Sequence, residues 1–282
     1  MRCVFVASGW IEWQRLENEK KPFFAYLPLT IPHAAMQCPE EDVAPFRKKF
    51  PQFENKIGKY SHGSIIRNPV AAFAGMMTRM DRGIGQILDL LNELDIAENT
   101  LVLFTSDNGP HYEGGHQPEF FNSNGPLKGH KRDLYEGGIR VPLIAYWPGK
   151  IKSGSVSNHI CAHWDLMPTF CELAKVSAPN HTDGISYIPA LTGKEQKRHA
   201  YLYWEFHSYG NAQAIRMGNW KGIRLKVKNN PNAPIQLFNL KKDIGETNNI
   251  AANHPDIIRR ITKLFKTAHT PSERFPLFTN KK

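Results

Sequence analysis

The spacing of apolar positions after Asn68 predicts one long amphipathic helix. Asn68 is a favourable N-cap residue, and Pro69 suits the first helical turn because it has no N–H to satisfy. Apolar side chains then recur every three or four residues and share one helix face: Phe73, Met77, Met80, Ile84, Leu88, Leu91 and Leu94. We expect the segment from Asp95 to Asn99 to end this helix.

Short apolar runs lie on both sides of this helix and predict buried strands. The runs are Pro22–Pro28, Thr100–Thr105 and Val141–Trp147, and further helices are predicted at Gly9–Lys21 and Trp164–Val176. The stretch from Gln37 to Ile65 has several prolines and no clean period, so we expect an irregular surface excursion there. Strands that alternate with helices predict βαβ units, an α/β fold and a largely parallel sheet flanked by helices.

The hydrophobic pattern changes near Arg198. Four short alternating runs separated by turn residues predict a small antiparallel sheet: Tyr201–Phe206, Gln213–Met217, Trp220–Leu225 and Ile235–Leu240. A helix is predicted at Pro255–Ala268. We therefore expect an α/β domain over residues 1–197 and a C-terminal antiparallel α+β subdomain over residues 198–282.

Charge narrows the kind of partner. The 282 residues carry a formal net charge of +10, which suggests an anionic partner or substrate. The basic residues are scattered in short groups, without the zinc-finger spacing or aromatic motifs of nucleic-acid-binding domains. We therefore expect a small or polymeric anion as the partner and no nucleic acid.

No apolar run approaches the roughly 20 residues of a membrane span. None of the four cysteines forms a C-x-x-C pair, which would indicate structural zinc.

Three segments carry candidate chemistry. Asp107 and Asn108 follow a predicted strand and offer oxygen ligands for a hard cation such as calcium or magnesium, although Asn-Gly and Gly-Pro also form simple turns. Lys131 lies in a glycine-punctuated basic loop that suits an anionic group or, equally, an exposed turn. His33 follows another predicted strand and is either a structural hydrogen-bonder or a proton donor. In a parallel sheet, ligands collect beyond the carboxyl ends of the strands, and Asp107 and His33 would both lie there.

Several stretches together resemble the type I sulfatases of the alkaline phosphatase superfamily. In chain order these are FFAYLPLTIPH, MTRMDRGIGQILDLLNELDIAENTLVLFTSDNG, LKGHKRDLYEGGIRVPLIAYWPG, HWDLMPTF, DGISYIPALTG, RMGNWKGIR and LFNLKKDIGETNNIA. The resemblance covers nearly the whole chain. It implies an alkaline phosphatase-like fold and an enzyme that hydrolyses sulfate esters.

The resemblance also implies residue roles. Asp107 and Asn108 match ligands of the active-site calcium ion, and Lys131 matches the lysine that contacts the sulfate. His33 matches the histidine that binds the sulfate ester and assists the leaving group. His111 and His116 lie close to the metal ligands in sequence, and we expect them to help form a substrate subsite.

The chain also departs from the family pattern. Type I sulfatases carry a nucleophile in a C-x-P-S-R or S-x-P-S-R motif that is converted to formylglycine, and the 282 residues contain neither motif. The paired acidic ligands of the family's first strand are also missing, so only half of the calcium site is expected. We therefore expect the chain to match the carboxy-terminal half to three-fifths of a sulfatase. The first part, which carries the nucleophile, is missing from this match, so we expect the chain to be inactive alone.

Two other functions stay open. A non-catalytic, calcium-dependent binder of sulfated glycans fits the positive charge and the missing nucleophile. A phosphate-ester hydrolase of the same superfamily would use a similar metal crevice. For the sulfate-ester hydrolase and for the glycan binder, the expected partner is a sulfated small molecule or glycan. The family implies a periplasmic, secreted or lysosomal location, although MRCVFVASGW is not typical of a signal peptide.

Overall fold

The computed structural model of the chain describes residues 22–279, so the helix predicted at Gly9–Lys21 lies outside the described residues. The chain divides into two compact units. The first contains the described residues up to Leu103, together with His111–Phe121 and Ala145–Ser155. The second contains Phe104–Pro110, Asn122–Ile144 and the described residues from Val156 onward. The domain boundary predicted near residue 198 stays a prediction.

The first unit is built around the predicted long helix. Its elements are helix α1 (Glu40–Lys49), strands β1 (Ile57–Gly58) and β2 (Ile66–Arg67), helix α2 (Pro69–Glu93), and 3₁₀ helices at Pro51–Phe53, Ala97–Asn99 and Glu113–Gly115. Strands β1 and β2 pair antiparallel. Helix α2 starts as predicted, because the Asn68 side chain accepts a hydrogen bond from the backbone N–H of Ala71 at 3.0 Å.

The buried face of α2 differs in part from the predicted face. Met76 is 4% exposed, whereas Met77, which the pattern placed inside, is 36% exposed. The first turns of α2 are rich in small residues that are buried on every side. One of these is Gly75, where an added Cβ would lie 2.8 Å from the carbonyl oxygen of Asp42 in α1. This close helix crossing, and not a single apolar stripe, determines burial here.

Two sequence predictions for the first unit are wrong. Residues 40–49 form α1, where an irregular excursion was expected. Its acidic first turn and basic last turn favour a helix through the helix dipole, and buried Asp42 pairs with Arg79 at 2.7 Å and Arg82 at 3.0 Å. The predicted strand at Pro22–Pro28 is irregular in the structure. A strand needs a neighbouring strand for its backbone hydrogen bonds, and the sheets formed by residues 22–279 do not include this run.

Strands β3 (Val102–Thr105) and β4 (Leu143–Tyr146) pair with each other, and both predicted strands are confirmed in slightly shorter form. The division between the two units falls inside both strands. The second unit also contains helices α3 (Glu136–Ile139), α4 (Leu166–Leu173) and α5 (Ile188–Leu191) and 3₁₀ helices at His163–Asp165 and Ala251–Asn253. The predicted helix at Trp164–Val176 is thus a 3₁₀ turn followed by α4.

The predicted C-terminal antiparallel sheet and the helix that covers it are confirmed. Strands β5 (Leu202–Phe206), β6 (Ala212–Met217), β7 (Trp220–Leu225) and β8 (Ile235–Asn239) pair in this order. Helix α6 (Pro255–Ala268) packs on the sheet through Ile257, Ile261 and Phe265. A Cβ at Gly222 in β7 would lie 2.8 Å from Ile261, so glycine permits this close approach. Burying a side chain such as Ile261 contributes roughly 1.5–3 kcal/mol.

None of the helices in residues 22–279 is both long enough and apolar enough to cross a membrane.

Candidate functional site

The loop after β3 is held against the glycine-rich basic loop by backbone hydrogen bonds. The N–H of Gly109 donates to the carbonyl of Gly138 at 3.0 Å, and the N–H of Lys131 donates to the carbonyl of Pro110 at 2.7 Å. Within the first loop, the Ser106 hydroxyl donates to the carbonyl of Asn108 at 2.9 Å. The segment that carries Asp107 and Asn108 therefore has a fixed position relative to Lys131.

Glycine is required where these two loops touch. A Cβ at Gly109 would lie 1.8 Å from the carbonyl oxygen of Gly137, and a Cβ at Gly138 would lie 2.2 Å from that of Asp133. Both distances are far below van der Waals contact. The glycines of the SDNG and YEGG stretches thus let the two backbones pack directly against each other.

A cavity of about 570 Å³ lies within the second unit, next to these loops. Asp107, Asn108 and Lys131 all line it, so the structure brings the predicted metal ligands and the predicted sulfate-contacting lysine to one cavity. Residues from the C-terminal sheet, including Trp204 and Arg216, line it as well.

The oxygen ligands at this site are of the type that a hard cation prefers, but they are too few to complete its coordination. Asp107 is exposed and Asn108 is half-buried, and each offers a side-chain oxygen. Calcium takes six to eight oxygen ligands. Within the described part of the chain, no group of three or more His, Cys, Asp or Glu side chains is arranged to hold a metal ion. Calcium binding therefore stays a prediction.

The three predicted histidines lie together in the first unit. The ring centroids of His33 and His111 are 5.9 Å apart, and those of His111 and His116 are 5.3 Å apart. His33 is exposed, and its Nδ1 contacts the carbonyl oxygen of Ala34. Because a carbonyl oxygen can only accept a hydrogen bond, Nδ1 is the donor in this contact.

His111 and His116 are interior residues. Nε2 of His111 donates to the carbonyl of Pro32 at 3.1 Å, and its Nδ1 accepts from the backbone N–H of Glu113 at 3.1 Å. His116 is 2% exposed and stacks on Phe73 with 3.7 Å between ring centroids. Neither ring nitrogen of His116 has a hydrogen-bond partner within residues 22–279.

Burial, and secondarily the neighbouring His111, lowers the pKa of His116 to about 4. The His116 ring is thus neutral and closely packed at physiological pH, which favours a role in packing. Its predicted part in a substrate subsite, like that of His111, stays a prediction.

A buried charge network beside the cavity was not predicted from the sequence. Lys221 is fully buried and its Nζ lies 2.7 Å from Oε1 of Glu136. The other carboxylate oxygen of Glu136 contacts Nη1 of Arg216 at 3.2 Å and Nη1 of Arg140 at 3.5 Å. Glu246 accepts the backbone N–H of Glu136 at 2.6 Å and lies 3.6 Å from Lys221.

The pKa values of the two glutamates in this network shift in opposite directions. Burial raises the pKa of Glu136, but Lys221 and the two arginines outweigh that effect and leave the pKa below its usual value. Burial dominates at Glu246 and raises its pKa, and it lowers the pKa of Arg216. The available sequence signal was a lysine near the start of strand β7, but its partner Glu136 is 85 residues away.

Family models and curated relatives match most of the chain. The model named Sulfatase matches residues 6–176, and the model described as N-sulphoglucosamine sulphohydrolase, C-terminal, matches residues 129–270. The N-acetylgalactosamine-6-O-sulfatase of Bacteroides thetaiotaomicron is 28% identical over 273 residues, which cover 90% of this chain and 48% of that protein. Human N-acetylgalactosamine-6-sulfatase is 28% identical over 281 residues, with 95% and 46% covered. The chain thus spans about half the length of the curated relatives it matches.

Solved structures agree with these matches. Ps i-CgsB, crystallised with k-i-k-neocarrahexaose, is 31% identical with a TM-score of 0.74, covering 93% of this chain and 53% of that chain. BT4656 in complex with its substrate D-glucosamine-2-N,6-O-disulfate is 25% identical with a TM-score of 0.58, covering 72% and 40%. The phosphonate monoester hydrolase of Agrobacterium radiobacter, 21% identical with a TM-score of 0.64 and covering 98% and 64%, shares the fold alone. The predicted alkaline phosphatase-like α/β fold is therefore confirmed.

Proposed function

The chain belongs to the sulfatase family, and from that premise we propose that it supplies substrate-binding residues of a sulfuric ester hydrolase. The observation that carries this proposal is that Asp107, Asn108 and Lys131 line one cavity of about 570 Å³. The two backbone hydrogen bonds between their loops support a site that is preorganised and not assembled by the ligand.

Lys131 and Asp107 have opposite charges, which makes a cation part of the proposal. The ammonium group of Lys131 would attract a sulfate group as a point charge. The Asp107 carboxylate would repel the same group unless a cation lay between them. Calcium bound there, with further oxygen ligands beyond the two described, would stabilise negative charge on the sulfate oxygens.

His33 is proposed to assist the leaving group through Nε2. Cleavage of a sulfate ester builds negative charge on the departing oxygen, and a proton from an imidazolium group neutralises it. The contact between Nδ1 and the Ala34 carbonyl supports this assignment, because Nδ1 is engaged as a donor and Nε2 is the other ring nitrogen.

One observation favours a second candidate function, a calcium-dependent binder of sulfated glycans. The 282 residues contain no C-x-P-S-R or S-x-P-S-R motif, so the nucleophile of the family is absent from this sequence. A binder would use the same cavity and the same lysine without turnover. Location in the periplasm, outside the cell or in the lysosome stays a prediction in either case.

The test measures binding and turnover separately on the 282-residue chain. We expect N-acetylgalactosamine 6-sulfate to bind in the presence of calcium, and Lys131→Ala to weaken binding about tenfold through loss of a charge-assisted contact. The exposed Lys242 serves as the control, because Lys242→Ala removes the same charge away from the cavity-lining residues. Equal losses in the two variants would reject the assigned site.

Turnover is then measured on 4-methylumbelliferyl sulfate. A rate that disappears in Lys131→Ala supports the hydrolase. Binding that depends on calcium and Lys131, without any rate, is expected both for a sulfatase-family chain without the nucleophile motif and for the glycan binder.

A further inference from the structure

The cavity has a second group of side chains suited to a sugar ring. Trp164 and Trp204 both line it, with ring centroids 5.8 Å apart and planes inclined by 56°. Both indoles are half-buried. Sites for polar organic ligands commonly combine such aromatic surfaces with a few placed polar groups. The aromatic pair therefore offers an apolar surface within the same cavity as Lys131.

The charge network leaves positive charge next to this aromatic pair. Glu136 and Glu246 are two carboxylates, and Lys221, Arg216 and Arg140 are three cations around them. Lys221 lies closest to Glu136, so the carboxylate keeps a buried partner without Arg216. One positive charge is in surplus, and both arginines line the cavity.

Arg216 has donors left for a ligand. Its Nη1 donates to Glu136 at 3.2 Å and its Nε to the carbonyl of Gly218 at 3.3 Å. Nη2 takes part in neither bond, and 14% of the side chain is exposed. A guanidinium fixed on two sides presents its remaining N–H groups in a defined direction, which suits a sulfate or carboxylate.

We propose that Trp164, Trp204 and Arg216 form a second subsite, which binds a neighbouring sugar ring and a second anionic group of a sulfated oligosaccharide. The inference rests on the proposed function, because it extends the ligand whose sulfate group Lys131 would bind. The volume of about 570 Å³ is within the range of roughly 300–1,000 Å³ that is typical of ligand pockets. The preferred substrate class is therefore an oligosaccharide with at least two anionic groups.

The experiment compares two ligands that differ in length and charge. N-acetylgalactosamine 6-sulfate has one ring and one anionic group, whereas a chondroitin 6-sulfate tetrasaccharide has four rings and both sulfates and carboxylates. Affinities are measured by calorimetry on the 282-residue chain, and tryptophan fluorescence reports contact with the indoles. We expect tighter binding of the tetrasaccharide, with a fluorescence change that the monosaccharide does not produce.

Arg216→Gln should reduce the preference for the tetrasaccharide about tenfold, the worth of one charge-assisted contact. Arg259→Gln is the control, because it removes an exposed arginine from α6 and changes net charge equally. Arg216→Lys keeps the charge but loses the planar fork, and we expect it to restore the preference only in part. A carboxyl-reduced tetrasaccharide identifies the second anionic group: retained preference indicates sulfate, lost preference indicates carboxylate, and both support the subsite.

Three results would overturn the inference. These are no preference in the wild-type chain, a preference that Arg216→Gln leaves unchanged, and a loss of equal size in Arg259→Gln. Failure of the proposed function gives a different result. If Lys131→Ala changes neither affinity while Arg216→Gln still removes the preference, the sulfate site is wrong and the second subsite stands.

Discussion

At the scale of single residues, the buried ammonium group of Lys221 supports the charge network of the second unit. It is fully buried and lies between Glu136 and Glu246. Lys221→Met would leave the Glu136 carboxylate without its nearest partner, and removal of one partner from a buried ion pair costs about 3–5 kcal/mol. We expect a loss of this size in the free energy of unfolding, measured by urea denaturation.

Two further variants test the cause of that loss. Lys241→Met changes an exposed lysine and should alter the free energy of unfolding by less than about 0.5 kcal/mol. The double variant Lys221→Met/Glu136→Gln removes both charges and should recover part of the loss. No recovery would mean that Lys221 contributes mainly through packing and not through its charge.

His116 gives a prediction about pH. Burial lowers the pKa of its ring to about 4, from 6.5 in the unfolded chain. Between these pH values the unfolded chain binds a proton that the folded chain does not, so acidification through this range favours unfolding. His116→Phe removes this effect and keeps the stacking on Phe73. We expect the variant to gain stability relative to wild type as pH falls from 7 to 5, by on the order of 1 kcal/mol.

Urea denaturation at both pH values checks this expectation. The control is His181→Phe, since His181 is exposed and should not change the pH dependence by the same amount. Parallel pH profiles for wild type and His116→Phe would contradict a buried neutral ring at this position.

At the scale of elements, two glycines with different surroundings provide a matched test. Gly109 lies at the contact of the two site loops, where a Cβ would meet the Gly137 carbonyl at 1.8 Å. Gly85 is inside α2, where an added Cβ would meet nothing within 4 Å. Gly109→Ala should separate the loops and lower both the melting temperature and the affinity for N-acetylgalactosamine 6-sulfate. Gly85→Ala should stabilise the chain by about 0.5–1 kcal/mol, because alanine has the higher helix propensity.

One outcome of the comparison between the two alanine variants would contradict this prediction. If Gly109→Ala binds the sulfated sugar as tightly as Gly85→Ala does, the backbone contact between the loops does not position the site. Thermal unfolding and calorimetry on the same samples separate the effect on stability from the effect on binding.

Elements with strong local signals were predictable from the sequence, and elements that depend on distant partners were not. Helix α6 matches its predicted bounds, and the four C-terminal strands match closely, because alternation and turn residues lie within each segment. The run from Pro22 to Pro28 has strand composition but is not part of the sheets that the described residues form. Helix α1 was missed because Pro45 interrupts its pattern, although its terminal charges were a usable signal.

The same contrast between local sequence signals and distant partners applies to the candidate site. Asp107, Asn108 and Lys131 were predicted because each lies in a short stretch with recognisable chemistry; all three line one cavity, and their roles stay predictions. Glu136, Lys221 and Arg216 were missed because the contacts of Glu136 with Arg216 and with Lys221 join residues 80 and 85 positions apart. Nothing in the local pattern of a strand shows which distant carboxylate will lie against its lysine.

At the scale of the whole molecule, burial is distributed unevenly among the sheets. The C-terminal sheet and α6 contain apolar side chains with no exposure, among them Ile215, Ile223, Leu237 and Ile261. In β4, by contrast, Ile144 is 60% exposed and Leu143 and Tyr146 are each 38% exposed. Segments with few buried apolar contacts open locally at low free energy, whereas well-packed segments exchange only on wider unfolding.

We therefore expect amide hydrogen exchange to be slowest in β6 and β7 and at least about 100-fold faster in β4. Mass spectrometry of peptides that cover β4 and β6–β7 measures this difference directly. Substituting Ile261 with alanine leaves a cavity under the C-terminal sheet and should cost about 2–5 kcal/mol, so it should accelerate exchange in β6 and β7 specifically. Equal protection of β4 and β7 in the wild-type chain would contradict the expected difference. If that protection came from association between copies of the chain that covers the exposed side chains of β4, exchange in β4 would slow as the protein concentration rises.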